Sequence, residues 1–104
     1  MMDKLIGEAH VLVGAELARA VAKYGPGFHS PEEGYGVIAE EIMEAQEETA
    51  LLPQMLTALL HGVHDGEIRQ TVLDDMESAA VRGACEMLQV AAMCRKFRQS
   101  GGVS

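Results

Sequence analysis

Four glutamates and one glutamine carry most of the chemistry open to this 104-residue chain: Glu40, Glu41, Glu44, Glu86 and Gln89. The first three lie in S-P-E-E-G-Y-G-V-I-A-E-E-I-M-E-A-Q-E-E, from Ser30 to Glu48. On a helix turning about 100° per residue, Glu41, Glu44 and Glu48 fall with Val37, about 60–120° from a stripe of Ile38, Ile42 and Ala45. Glu40 and Glu47 fall on the solvent side. Glu41 and Glu44, one turn apart, can therefore converge at the edge of a core. Two carboxylates held together repel unless a cation joins them or one keeps its proton. A hard divalent ion such as Mg²⁺ takes such oxygen ligands, commonly one or two carboxylates together with substrate phosphates. The competing reading is a solvated acidic helix edge.

Glu86 stands in the run Ala84 to Cys94, where only Glu86 and Gln89 are polar. It shares its wheel position with Ala79, Val90, Met93 and Phe97, so it is expected to point inward. An inward carboxylate needs a partner, because an unpaired buried charge is costly. Two partners are open: Arg82, four residues earlier, or a metal shared with Glu41 and Glu44. Other groups carry weaker signals. Arg95, Lys96 and Arg98 could contact phosphates or complement a helix C-terminus. Phe28, His29 and Tyr35 could border a nucleobase or be local core. His61, His64 and Asp65 have the donor types of a transition-metal site, but more simply are exposed polar groups of a glycine-containing loop.

These residues need helices to position them. Leu5, Ala9, Val13, Leu17 and Val21 step by four and predict a first helix over about Asp3–Lys23. Tyr24-Gly25-Pro26-Gly27 stops it. Ser30 as capping hydroxyl, Pro31 at the first helical position and Glu32 and Glu33 in the first turn predict a second helix from Pro31 to about Leu52. Pro53 breaks or kinks the chain there, and Gln54–Leu60 is expected as a bent extension or a separate short helix. His61–Gly66 reads as turn-rich. A last helix is expected from Gly66 or Glu67 to Gln99, apolar nearly all round in its middle and so buried.

The fold class expected is all-α: three main helices plus a short extra segment, in one domain over residues 1–104 with 99–104 as a flexible tail. A chain this short builds a modest core, and an oligomer is expected to complete it. The net charge of −8 leaves no basic face for a DNA or RNA polymer. No apolar run approaches membrane-spanning length, and the start lacks a signal-peptide pattern, so a cytoplasmic location is expected. Cys85 and Cys94, in an apolar run without a C-x-x-C partner, read as buried, reduced thiols.

The order of these pieces resembles the MazG-like branch of the all-α nucleoside triphosphate pyrophosphohydrolases. The order is a helix, the G-P-G-F-H-S-P-E-E approach, Glu40-Glu41-x-x-Glu44, then Glu86-x-x-Gln89-V-A-A-M-x-x-x-F. The resemblance spans roughly Val21 to Lys96. It implies a helical bundle that assembles as a homodimer or homotetramer, binds Mg²⁺ (with Mn²⁺ as a substitute), and hydrolyses a (d)NTP to the monophosphate and pyrophosphate. By the same resemblance Glu41, Glu44, Glu86 and Gln89 would hold metal, with Glu41 and Glu44 catalytic and Glu40 supporting them from the solvent side. Phe28, His29, Arg95 and Lys96 are the weaker candidates for substrate contact. Gln89 takes the place of the family's aspartate, which removes one negative charge from the metal site. The departure keeps a second reading open: a catalytically silent helical bundle that oligomerises, binds or senses nucleotides.

Overall fold

A computed structural model describes residues 1–101, so the last three residues of the 99–104 tail lie outside the described residues. The described residues are all-helical, with four α-helices: α1 (Met2–Tyr24), α2 (Pro31–Thr49), α3 (Leu52–Asp65) and α4 (Gln70–Arg98). The expected helix starts and stops of the first half are realised. The Gly25 N–H bonds the Val21 carbonyl at 2.8 Å and closes α1, with Gly25 at φ 85°. At α2 the Ser30 hydroxyl accepts from the Glu33 N–H (3.1 Å), and the Glu33 carboxylate accepts from the His29 N–H (3.1 Å). That reciprocal pair satisfies two donors at the turn into α2.

The second half departs from the expectation. α2 stops at Thr49, before Leu52, and α3 is a separate helix with Pro53 in its first turn, where the missing N–H costs nothing. The His61–Gly66 segment, expected as turns, is helical as far as Asp65. Gly66 then adopts the left-handed conformation (φ 71°, ψ 17°), and the Glu67 N–H bonds back to the Gly62 carbonyl at 2.9 Å. α4 consequently begins at Gln70, later than Gly66 or Glu67.

α4 is the spine, and α1, α2 and α3 each pack on it. Two glycines set the α2–α4 approach. A Cβ on Gly34 would overlap the Phe97 ring, and one on Gly83 would overlap Thr49 Cγ2. Among the described residues Ala45, Ala79, Ala92 and Val13 are the buried hydrophobic ones, and no large side chain is fully buried. The Ile38–Ile42–Ala45 stripe is only partly core: Ala45 is buried, Ile38 half-buried and Ile42 exposed. The α4-facing seam of α2 instead runs through Gly34, Glu41, Ala45 and Thr49. The middle of α4 is likewise buried on some faces only, which leaves Cys85 and Cys94 exposed, contrary to the expectation of buried thiols.

The assembly is elongated, 57 × 29 × 25 Å, with a radius of gyration of 17.7 Å. A compact chain of this length has a radius near 13 Å. No helix among the described residues is long and apolar enough to cross a membrane.

Candidate metal centre

α2 and α4 are placed side by side by Gly34 against Phe97 at one end and by Gly83 against Thr49 at the other. Midway along that seam the glutamates meet. One carboxylate oxygen from each of Glu41, Glu44 and Glu86 lies within 4.8 Å of the others, and all three side chains are half-buried. Glu41 and Glu44 contribute from successive turns of α2, and Glu86 faces them from α4.

Among the described residues no cationic side chain compensates the charge of the cluster. Glu41 is held above the ordinary carboxyl value, first by desolvation and then by the charges of Glu44, Glu86, Glu40 and Glu16. Glu86 is also raised, first by desolvation, then by the charge of Glu44 and a hydrogen bond shared with it, with Glu48 adding to the effect. Such a set needs either bound protons or a cation at neutral pH. Arg82, the partner open to Glu86 in the sequence, turns elsewhere: its Nε donates to Glu48 Oε2 at 2.8 Å and its guanidinium to Ser78 Oγ at 2.7 Å. Arg19 is occupied on Glu16 at 2.7 Å. Among the described residues no ion pair reaches Glu41, Glu44 or Glu86.

Gln89 joins the cluster as a donor. In the amide orientation that satisfies its neighbours, its nitrogen donates to Glu41 Oε2 at 2.9 Å and to Glu86 Oε2 at 3.1 Å. The amide thus links α4 to α2 through Glu41 and holds Glu86 of its own helix beside it. For its oxygen to serve a metal, the amide must turn over and release both bonds. Glu40 is exposed, and it acts on Glu41 through space. Glu16, on α1, carries no signal in the sequence. Only the packing of α1 on α4 brings it close enough to act on Glu41.

The weaker substrate candidates gather elsewhere. Phe28 packs on Phe97 with ring centroids 5.9 Å apart, and the buried Lys96 places its ammonium 4.6 Å from the Phe28 centroid. His29 is exposed at the approach to α2. Arg95 turns to α1, where its guanidinium meets His10 Nδ1 at 3.2 Å. Lys96 is ten residues beyond Glu86, about 15 Å along α4. None of the four is brought onto the glutamate cluster. His61, His64 and Asp65 do not form a metal-binding group among the described residues.

The donor set suits a hard cation. Three carboxylates without sulfur or imidazole are hard oxygen donors, of the kind that hold Mg²⁺ or Mn²⁺ rather than softer metals. The chain matches no protein-family model, curated protein or solved structure.

Proposed function

We propose that this chain is a MazG-like, metal-dependent nucleoside triphosphate pyrophosphohydrolase, working in the cytoplasm as a homodimer or homotetramer without a nucleic-acid polymer as partner. The convergence of Glu41, Glu44 and Glu86 from two helices, with no cationic side chain paired to them, carries this reading. Mg²⁺ or Mn²⁺, once bound, supplies charge neutralisation for a triphosphate and acidifies an attacking water. Glu41, Glu44 and Glu86 would hold it, and Glu40 adds negative potential from outside. A glutamate of the pair Glu41 and Glu44 accepts the water's proton as the oxygen attacks the α-phosphorus. The bond from that phosphorus to the bridging oxygen breaks, and pyrophosphate leaves. Phosphoryl chemistry of this kind rests on positioning and charge stabilisation, so no covalent nucleophile is required.

The Gln89 amide supports the second reading. Its bonds to Glu41 and Glu86 occupy oxygens that a metal would need, and they stabilise a metal-free cluster. A silent helical bundle that binds or senses nucleotides has a use for such a lock. One assay separates the two: pyrophosphate release from the common and damaged (d)NTPs, with and without Mg²⁺ or Mn²⁺, for wild type, Glu44→Gln and Gln89→Asp. The enzyme reading expects metal-dependent release that falls at least about 100-fold in Glu44→Gln, the usual range for lost acid–base help. Inactive wild type with active Gln89→Asp would assign the silent bundle instead.

A further inference from the structure

We infer that the exposed face of α4 is the contact surface for a second copy of this chain, packed antiparallel about a two-fold axis near Met87. This inference specifies the partner surface of the oligomer proposed above, and it is independent of pyrophosphohydrolase chemistry.

The exposed area is that of a chain lacking a partner. The chain exposes 7561 Å². A compact monomer of 11.2 kDa exposes about 5,700 Å². The excess of about 1,900 Å² per chain is shared among all four helices, and a stable pair needs to cover only about 800 Å² of it on each chain.

An apolar stripe on α4 is the part of that surface patterned for another helix. Leu73, Ala80, Met87 and Cys94 recur every seven residues on one side of α4, with Ala84 and Ala91 between them. All six are exposed, Leu73 by 41% and Met87 by 50%. The stripe extends for about 31 Å. It is on the side that α1, α2 and α3 leave open, and its alanines permit close approach of another helix. A seven-residue apolar repeat is the pattern of a helix–helix seam.

Charge selects the orientation. Asp74, Asp75 and Glu77 lie at the N-terminal end of α4, and Arg95 and Arg98 at its C-terminal end. Arg95 is engaged with His10, which leaves Arg98 at the end of the open stripe. In a parallel pair Glu77 would face the partner's Glu77, and Arg98 the partner's Arg98. Antiparallel packing about Met87 sets Ala84 against the partner's Ala91 and Glu77 against the partner's Arg98, at both ends of the seam. It also separates the two Cys94 residues by about 20 Å along the axis, beyond disulfide reach.

The test uses the full chain and no nucleotide. Mass by light scattering and sedimentation is measured for wild type, Glu77→Arg, Arg98→Glu and the double reversal, with circular dichroism to verify folding. The expected result is a wild-type dimer, or a tetramer built from such dimers. Each single reversal weakens association about tenfold or more, as expected for like charges forced together across an interface, and the double reversal restores it. A folded monomer at micromolar concentration overturns the inference. So does a dimer indifferent to all three variants. Mild oxidation of wild type adds an independent reading: no disulfide-linked dimer is expected, and rapid linkage through Cys94 without change of mass would overturn the antiparallel arrangement. Loss of pyrophosphate release alone, with the charge-swap response intact, would sink the enzymatic reading and leave this surface standing.

Discussion

At the scale of single residues, the cluster trades stability for a place to hold charge. Glu41 and Glu86 have carboxyl pKa values raised above the ordinary 4.5, so the folded chain binds protons more tightly than the unfolded one. Their contribution is then fully present below about pH 4.5 and is lost as pH rises through the raised values. Metal-free protein is accordingly expected to lose melting temperature as pH rises above about 4.5, and millimolar Mg²⁺ or Mn²⁺ to restore it at pH 7. Glu86→Gln removes one of the repelling charges. It is expected to stabilise the metal-free protein at pH 7 by up to about 1 kcal/mol and to flatten the pH dependence. The same change should reduce the metal-induced rise. Thermal denaturation across pH, with and without metal, measures all three effects. A Glu86→Gln protein that melts lower than wild type at pH 7 without metal would show that the Glu86 carboxylate holds the site together more than its charge drives it apart.

At the scale of elements, the packing of α2 on α4 depends on small residues more than on large ones. Gly34→Ala would drive a methyl group into the Phe97 ring, which itself packs at a tilt against Phe28 and cannot withdraw freely. The expected loss is about 1–3 kcal/mol by overpacking, read from denaturant unfolding. Gly36→Ala, two residues on, has open space at its Cβ and an exposed position. It should stabilise α2 slightly, because alanine is the better helix former. Equal effects at the two glycines would refute a packing role for Gly34. The start of α2 was readable in advance. Ser30, Pro31 and Glu33 encode it in local chemistry; the structure realises the Ser30 cap and adds a bond from the His29 N–H to the Glu33 carboxylate. Local signals served less well at α3. A glycine pair and two histidines suggested turns, whereas the apolar spacing Leu56, Leu59, Leu60 and Val63 continues one helix face past Leu60. The periodicity prevailed over residue type. The convergence of Glu41 and Glu44 at a core edge and the inward turn of Glu86 were legible from the helical wheel, whereas the choice between Arg82 and the α2 pair as neighbour of Glu86 was not. The pairing of Arg82 with Glu48, the approach of Glu16 and the burial of Lys96 were not. Each depends on how far one helix slides along another, which no single helical wheel records.

At the scale of the whole molecule, apolar content foretold helices but not which faces they would cover. α3 is the clearest case: it is strongly amphipathic, yet none of its residues is buried, and Leu56, Leu60 and Val63 are exposed by at least half. The first turns of α1 are similar, with Leu5 and Ile6 exposed although Val13 further along is buried. Stability should therefore be graded along the chain. Burial at Val13, Ala45, Ala79 and Ala92 concentrates around the α1–α2–α4 junction, close to the glutamate cluster, and the two ends have little to hold them in a single chain. Amides that open locally exchange with a free energy set by the contacts they lose, not by global unfolding. In native-state hydrogen exchange, α2 and the 79–97 portion of α4 are expected to exchange slowest. The α3 amides and those of Met2–Leu12 should exchange at least about 100-fold faster, which corresponds to roughly 3 kcal/mol less protection. Raising the protein concentration should slow exchange in α4 but not in α3 if the α4 face alone pairs with a second chain. Slow exchange in α3 at every concentration would mean that its leucines are covered after all, and the partner surface would then have to include the α3 face.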